Sequence, residues 1–143
     1  MVTLDIDLTI EQYHQALDEF VKGNPEPVLK IFSQREDVSL ANPLGPTALG
    51  RKQVVETAER AASYLQDGQP MRFETIVKVV TPDIAFTVHT ERTMAKLVGR
   101  QDFAPIVLRV TTIFRLEDGA WKIVHRHADP IVTQQPVDSI LQK

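Results

Sequence analysis

The string His125-Arg126-His127-Ala128-Asp129 sets two imidazoles and a carboxylate at every second position of one short segment. In an extended chain alternate residues share a face, so His125, His127 and Asp129 would stand side by side. Imidazole titrates near neutral pH and can give or take a proton, and a neighbouring carboxylate holds one tautomer and stabilises the imidazolium. His127 is therefore read as a proton-transfer group, Asp129 as its orienter and His125 as a second acid–base group. The alternative is structural, with both histidines satisfied in the core or bonded to the next strand. His-x-His followed by Asp129 could also offer three metal ligands. That spacing arises freely in strands, and neither a metal nor a cofactor is expected.

Other polar residues fall where they could hold a ligand. On one strand face Phe86, Val88 and Thr90 lead to Arg92, whose planar guanidinium can grip a carboxylate or phenolate; a surface ion pair is the plainer alternative. His89 lies on the opposite face and is expected to be exposed. Asn42 stands in the turn-rich segment Asn42-Pro43-Leu44-Gly45-Pro46. Its amide donates and accepts hydrogen bonds but cannot abstract a proton at neutral pH. Asn42, Arg92, Thr112, Trp121, Phe86 and Tyr13 make up the expected substrate contacts, although Tyr13 also suits a core position.

These residues need elements to position them. Thr9 and Gln12 resemble a capping box, followed by Ile10, Tyr13, Leu17, Phe20 and Val21 at helical spacing and by Gly23 as a left-handed terminator. Asn24 and Pro25 open a second, shorter helix bearing Val28, Leu29 and Phe32. A short strand is expected over 37–41, a loop over 42–46 and a third helix from about Gly50 to Gly68, with Val54, Val55, Ala58, Ala61, Ala62 and Leu65 as its apolar stripe. Beyond Gly68 the period drops to two, giving strands near 72–80, 84–97, 104–116 and 120–131. The last two meet at Glu117-Asp118-Gly119, where Asp-Gly is a strong hairpin signal. Helices first and a meander afterwards make an α+β fold: three N-terminal helices packed on a strongly curved antiparallel sheet, a cone-shaped half-barrel with a central pocket. On the third long strand Ile106, Leu108, Val110, Thr112 and Phe114 are expected to face inward. On the last, Trp121 and Ile123 favour burial and would carry His125, His127 and Asp129 inward with them.

The chain has 143 residues, 43% hydrophobic and 24% charged, which fits one domain over 1–143. Sixteen Lys plus Arg against nineteen Asp plus Glu, with no basic stripe, argue against nucleic acid. Without cysteine there is no disulfide, thiolate metal site or thiol nucleophile. An acidic N-terminal segment and the lack of a long apolar run give a cytoplasmic protein with no membrane partner as the expectation.

The order of elements, the segment ANPLGP and the terminal hairpin FRLEDGAWKIVHRHAD resemble the nuclear transport factor 2-like superfamily, and SnoaL-like domains in particular, over about residues 8 to 132. The resemblance implies a sheet curled around a cavity lined by helix one, the loop after the first strand and the last two strands. Such folds serve ketosteroid isomerases, polyketide cyclases, dehydratases, epoxide hydrolases and non-catalytic association domains. By the same resemblance the isomerases' catalytic acid falls at Asn42, their oxyanion tyrosine near Ala16 and their protonated aspartate near Thr112, so isomerase chemistry on steroids is not expected. Two functions stay open. One is an isomerase, cyclase or dehydratase using His/Asp acid–base chemistry on an apolar, carbonyl-bearing small molecule. The other is a non-catalytic ligand-binding or homo-oligomerisation domain. A sheet face carrying Val107, Arg109, Thr111 and Ile113 would suit a two-fold homodimer.

Overall fold

The computed structural model describes residues 5–142; of the expected domain range, residues 1–4 and 143 lie outside it. Helix α1 spans Ile6–Phe20 and α2 Glu26–Ile31; strands β1, Ser39–Ala41, and β2, Ala48–Leu49, lead into α3, Gly50–Ser63. Strand β3, Leu65–Gln66, precedes the long meander β4, Arg72–Val80, β5, Ile84–Leu97, β6, Ala104–Glu117, and β7, Ala120–Asp129, before a closing 3₁₀ turn at Val137–Ile140. No helix among the described residues is long and apolar enough to cross a membrane.

Helix α1 starts earlier than the capping-box reading places it. Asp5 is the N-cap and its carboxylate accepts from the Asp7 N–H at 2.8 Å, while Thr9 is buried inside the helix. Gly23 ends the first helical segment with φ of +100°, and a Cβ there would come within 3.0 Å of the Leu65 carbonyl oxygen. Helix α3 stops at Ser63 rather than near Gly68. Gly68 serves a different purpose: its N–H donates to the Val21 oxygen at 3.1 Å, and a Cβ would lie 2.3 Å from Val21 Cγ2. Only glycine lets the chain pass so close to the end of α1.

The sheet curls into a half-barrel in the order β2-β1-β7-β6-β5-β3, with β4 also paired to β5. One pairing departs from the expected antiparallel sheet: β1 runs parallel to β7, with Leu40 opposite Arg126. Asp118 and Gly119, with φ of 52° and 84°, form the two-residue turn between β6 and β7. The core lies between α1, α2 and α3 and the concave face, around Tyr13, Leu17, Leu29, Phe32, Phe114 and Ile123.

One irregularity decides which side chains reach the interior. Phe114 pairs with Ile123 but Ile113 pairs with His125, so Val124 is an extra residue in β7. A bulge of this kind reverses the alternation beyond it. Trp121 and Ile123 face the core on one side of Val124, and Arg126 and Ala128 face inward on the other.

Candidate functional site

The curled sheet and the helices enclose a cavity of about 460 Å³. Leu17 and Phe20 of α1, Ala58 and Ala61 of α3, and Ile106 and Leu108 of β6 give it apolar walls. The loop after β1 contributes Asn42, Pro43 and Leu44, and the far wall includes Tyr64, Leu97 and Arg100. Among the described residues its lining contains no His, Asp or Glu. Its one deeply set charge is Arg126, whose side chain is 11% exposed.

Arg126 reaches across β6 to Glu91 on β5 and holds it in a fork: Nη1 donates to Oε2 and Nη2 to Oε1, each at 2.8 Å. Nη1 also donates to the Tyr13 hydroxyl. That hydroxyl lies 3.1 Å from Thr112 Oγ1, and Glu91 Oε2 is 2.7 Å from His89 Nε2. Five polar side chains from α1, β5, β6 and β7 thus satisfy one another within the barrel. Burial opposes the Glu91 charge, but the Arg126 guanidinium outweighs it and holds the carboxyl at about 2 against an ordinary 4.5. Burial likewise opposes the Arg126 charge, and Glu91 more than restores it. Burial raises the Tyr13 phenol above its usual range, assisted by the Glu91 charge.

These bonds occupy one end of the guanidinium and leave its side edge open. Among the described residues nothing accepts from Arg126 Nε, and no fully buried side-chain nitrogen or oxygen is left without a partner. The Nε–H therefore opens on the cavity, next to the remaining Nη2 proton. Two parallel N–H donors at the end of an apolar chamber can receive an acceptor oxygen.

The expected acid–base trio is not in this cavity. Beyond the Val124 bulge, His125, His127 and Asp129 stand on the outer face of the sheet. His127 is 55% exposed and its Nε2 lies 3.4 Å from Asp129 Oδ2, so the pair forms, but in solvent. Asp129 is taken up structurally: it accepts from Arg109 Nε at 2.7 Å and from the Ile131 N–H at 2.9 Å. Burial would raise its pKa, yet the Arg109 hydrogen bond keeps it below the usual carboxylate range. His125 Nδ1 is bonded to Ser39 Oγ at 2.7 Å, and partial burial lowers its pKa. Among the described residues no group of three metal-binding side chains is assembled.

Strand β5 is also reversed relative to expectation. Ala85, Thr87, His89, Glu91, Thr93 and Ala95 face inward, and His89 is 3% exposed instead of open to solvent. Phe86 and Arg92 therefore lie on the outer face, half-buried and exposed respectively. The reason is that the interior of this strand is polar: Glu91 finds Arg126 across β6 and His89 bonds to Glu91, while the apolar residues of the strand cover the outside. Of the other expected contacts, Asn42 lines the cavity, with its Oδ1 accepting from the Leu44 N–H at 3.0 Å. Tyr13 and Thr112 are in the polar network, and Trp121 belongs to the hydrophobic core. The residues missed are Arg126, Glu91 and His89. His89-Thr90-Glu91 does repeat the every-second-residue pattern of the last strand, which marks His89 and Glu91 as a pair on one face but not as buried, and nothing local marks Arg126.

A smaller cavity of about 250 Å³ lies on the other side of the network, between the first turns of α1 and strands β4 and β5. Tyr13, His14, Thr75, Thr87 and His89 line it, with Asp7 and Lys78 paired at 2.7 Å. The His14 ring stacks on Phe73 with centroids 3.7 Å apart, and burial lowers its pKa.

Residues 6–133 match the family model of the SnoaL-like domain. Among solved structures, the chain is similar to a nuclear transport factor 2-like superfamily protein from Salmonella enterica serovar Typhimurium, with a TM-score of 0.73 at 15% identity over 93% of each chain. A ketosteroid isomerase-like protein from Erwinia carotovora atroseptica gives 0.72 at 18% identity, covering 90% of this chain and 95% of that one. A candidate dehydratase of the same superfamily from Streptomyces avermitilis gives 0.69 at 20%, covering 90% and 94%. These TM-scores show a shared fold. No curated protein sequence matches the chain.

Proposed function

The chain belongs to the SnoaL-like domain family, and from that premise we propose that it binds a small, largely apolar molecule in the large cavity, with a carbonyl or other acceptor oxygen received by the open edge of Arg126. The observation that carries this reading is that Arg126 is fixed by Glu91 and Tyr13 yet keeps donors toward an apolar chamber. Because Glu91 already balances the guanidinium charge, a neutral acceptor suits the site better than an anion, which would enter beside a buried carboxylate. A net hydrogen bond to a charged donor is worth about 1.5–3 kcal/mol.

The lining favours binding over an isomerase, cyclase or dehydratase reaction. Arg126 could stabilise charge developing on a substrate oxygen, but proton transfer at carbon needs a base within hydrogen-bond reach, and among the described residues the cavity wall supplies no carboxylate or imidazole. The test compares a flat aryl ketone with the matching hydrocarbon by calorimetry. The ketone should bind at least tenfold more tightly, and the Arg126→Met/Glu91→Leu protein should bind both alike. Equal affinity for the two in the unaltered protein would remove Arg126 as the anchor.

We also propose that two copies pair through the outer sheet face, where Val107, Thr111 and Ile113 stand half-buried in one row with Arg109. Sedimentation should show a dimer that Ile113→Asp dissociates; a monomer at all concentrations would refute it.

A further inference from the structure

The binding role assigned to the large cavity makes no use of the smaller one, whose wall holds the deepest imidazole of the molecule. His89 is 3% exposed, and its hydrogen bond runs from Nε2 to Glu91 Oε2 at 2.7 Å. Glu91 is ionised under Arg126, so in the neutral ring the proton sits on Nε2 and the lone pair on Nδ1. Among the described residues nothing donates to Nδ1, and no fully buried side-chain nitrogen or oxygen lacks a partner. Nδ1 therefore opens on the cavity that His89 lines.

The surroundings narrow what could meet that lone pair. Each nearby charge already has its counter-charge, Arg126 with Glu91 and Lys78 with Asp7. An ion entering the cavity would have no partner and would bear the cost of desolvation. Ile10, Tyr13 and the stacked His14 give apolar and aromatic walls, with Thr75 and Thr87 hydroxyls among them. Such walls suit a flat ring bearing one polar group. At about 250 Å³ the chamber has room for one small ring.

We propose that this chamber is a second ligand site, separate from the large cavity, that takes one small uncharged molecule bearing an O–H or N–H donor, a phenol or an azole, with its proton received by His89 Nδ1. The polar network then forms a wall between two sites of opposite hydrogen-bond sense. Arg126 offers donors to one, and His89 offers an acceptor to the other.

The experiment is a titration of the full chain with phenol, followed by nitrogen-15 NMR of labelled histidine side chains. The expected result is a saturable shift of the His89 Nδ1 resonance from its unprotonated position, with Nε2 still protonated. Thr75→Phe and Ile10→Trp, each directed into the chamber, should weaken that response at least tenfold and leave ketone binding in the large cavity unchanged. No saturable shift at His89 up to the solubility of phenol would overturn the proposal, as would an unchanged response in both variants. Because the ketone is measured separately, failure here is distinguishable from failure at Arg126.

Discussion

Two ion pairs of the long strands, Arg126 with Glu91 and Arg109 with Asp129, show what the two faces of one sheet do with the same chemistry. Arg109 binds Asp129 through one 2.7 Å hydrogen bond on a face where the arginine side chain is 59% exposed. Arg126 binds Glu91 through two bonds at 2.8 Å where the glutamate is fully buried. The outer pair is screened by water and gains little. The inner one has exchanged hydration for a fixed set of partners, and each group there depends on all the others. What a charged residue does in this fold is therefore set by the face of the sheet it occupies, which in β7 the Val124 bulge decides, more than by residue type or spacing.

Removing one partner from each pair should separate the two faces most strongly. Arg126→Met alone should destabilise the protein by about 3–5 kcal/mol, because it leaves a buried, unpaired carboxylate. Arg126→Met with Glu91→Leu should recover most of that loss. Chemical denaturation of the three proteins checks both, and a double variant no more stable than the single one would contradict the account. Arg109→Ala should cost less than about 1 kcal/mol.

Acid should separate the pairs next. Glu91 has a folded-state pKa of about 2, below its ordinary 4.5. A lowered carboxylate pKa contributes stability that is complete above the unfolded value and declines as pH falls through the folded one. The loss should therefore develop between about pH 4.5 and 2, and at roughly 1.4 kcal/mol per pH unit it amounts to about 3 kcal/mol. Melting temperature against pH should show this limb, and Glu91→Gln should flatten it.

The smallest expected effect falls on the residues that looked most chemical in the sequence. His127→Ala should change stability by no more than about 0.5 kcal/mol and leave ketone affinity unaltered, because His127 is 55% exposed on the outer face. A large loss of binding in that variant would return the acid–base pair to the functional site.

Much of the fold was legible in the sequence because its signals are local. The strands 72–80 and 84–97 appear with the expected bounds, and the Asp118-Gly119 turn forms as Asp-Gly predicts. The short helix presents Val28 and Leu29 to the core, and Phe32, the extended residue that ends it, is buried beside them. The candidate site was far less legible, for two physical reasons. Simple alternation runs unbroken from Trp121 to Asp129 in the sequence of β7, but the extra residue at Val124 reverses it, and nothing in Ile123-Val124-His125 marks a bulge. In β5 the apolar residues Phe86 and Val88 read as the inner face, yet the buried residues are Thr87, His89 and Glu91 on the other side. Hydrophobicity identifies the inner face only when the interior is apolar. Here Glu91, His89 and Arg126 are buried because they complete one another, a long-range condition that no local pattern carries.

Whether Arg126 receives the ligand is read directly from the nitrogen-15 resonance of its Nε–H during a titration with the aryl ketone. A donor that waits for a ligand oxygen should shift saturably with the ketone, at the same midpoint as calorimetric binding, and should not respond in that way to the hydrocarbon. Ketone binding with the Arg126 Nε–H resonance unmoved would contradict the account.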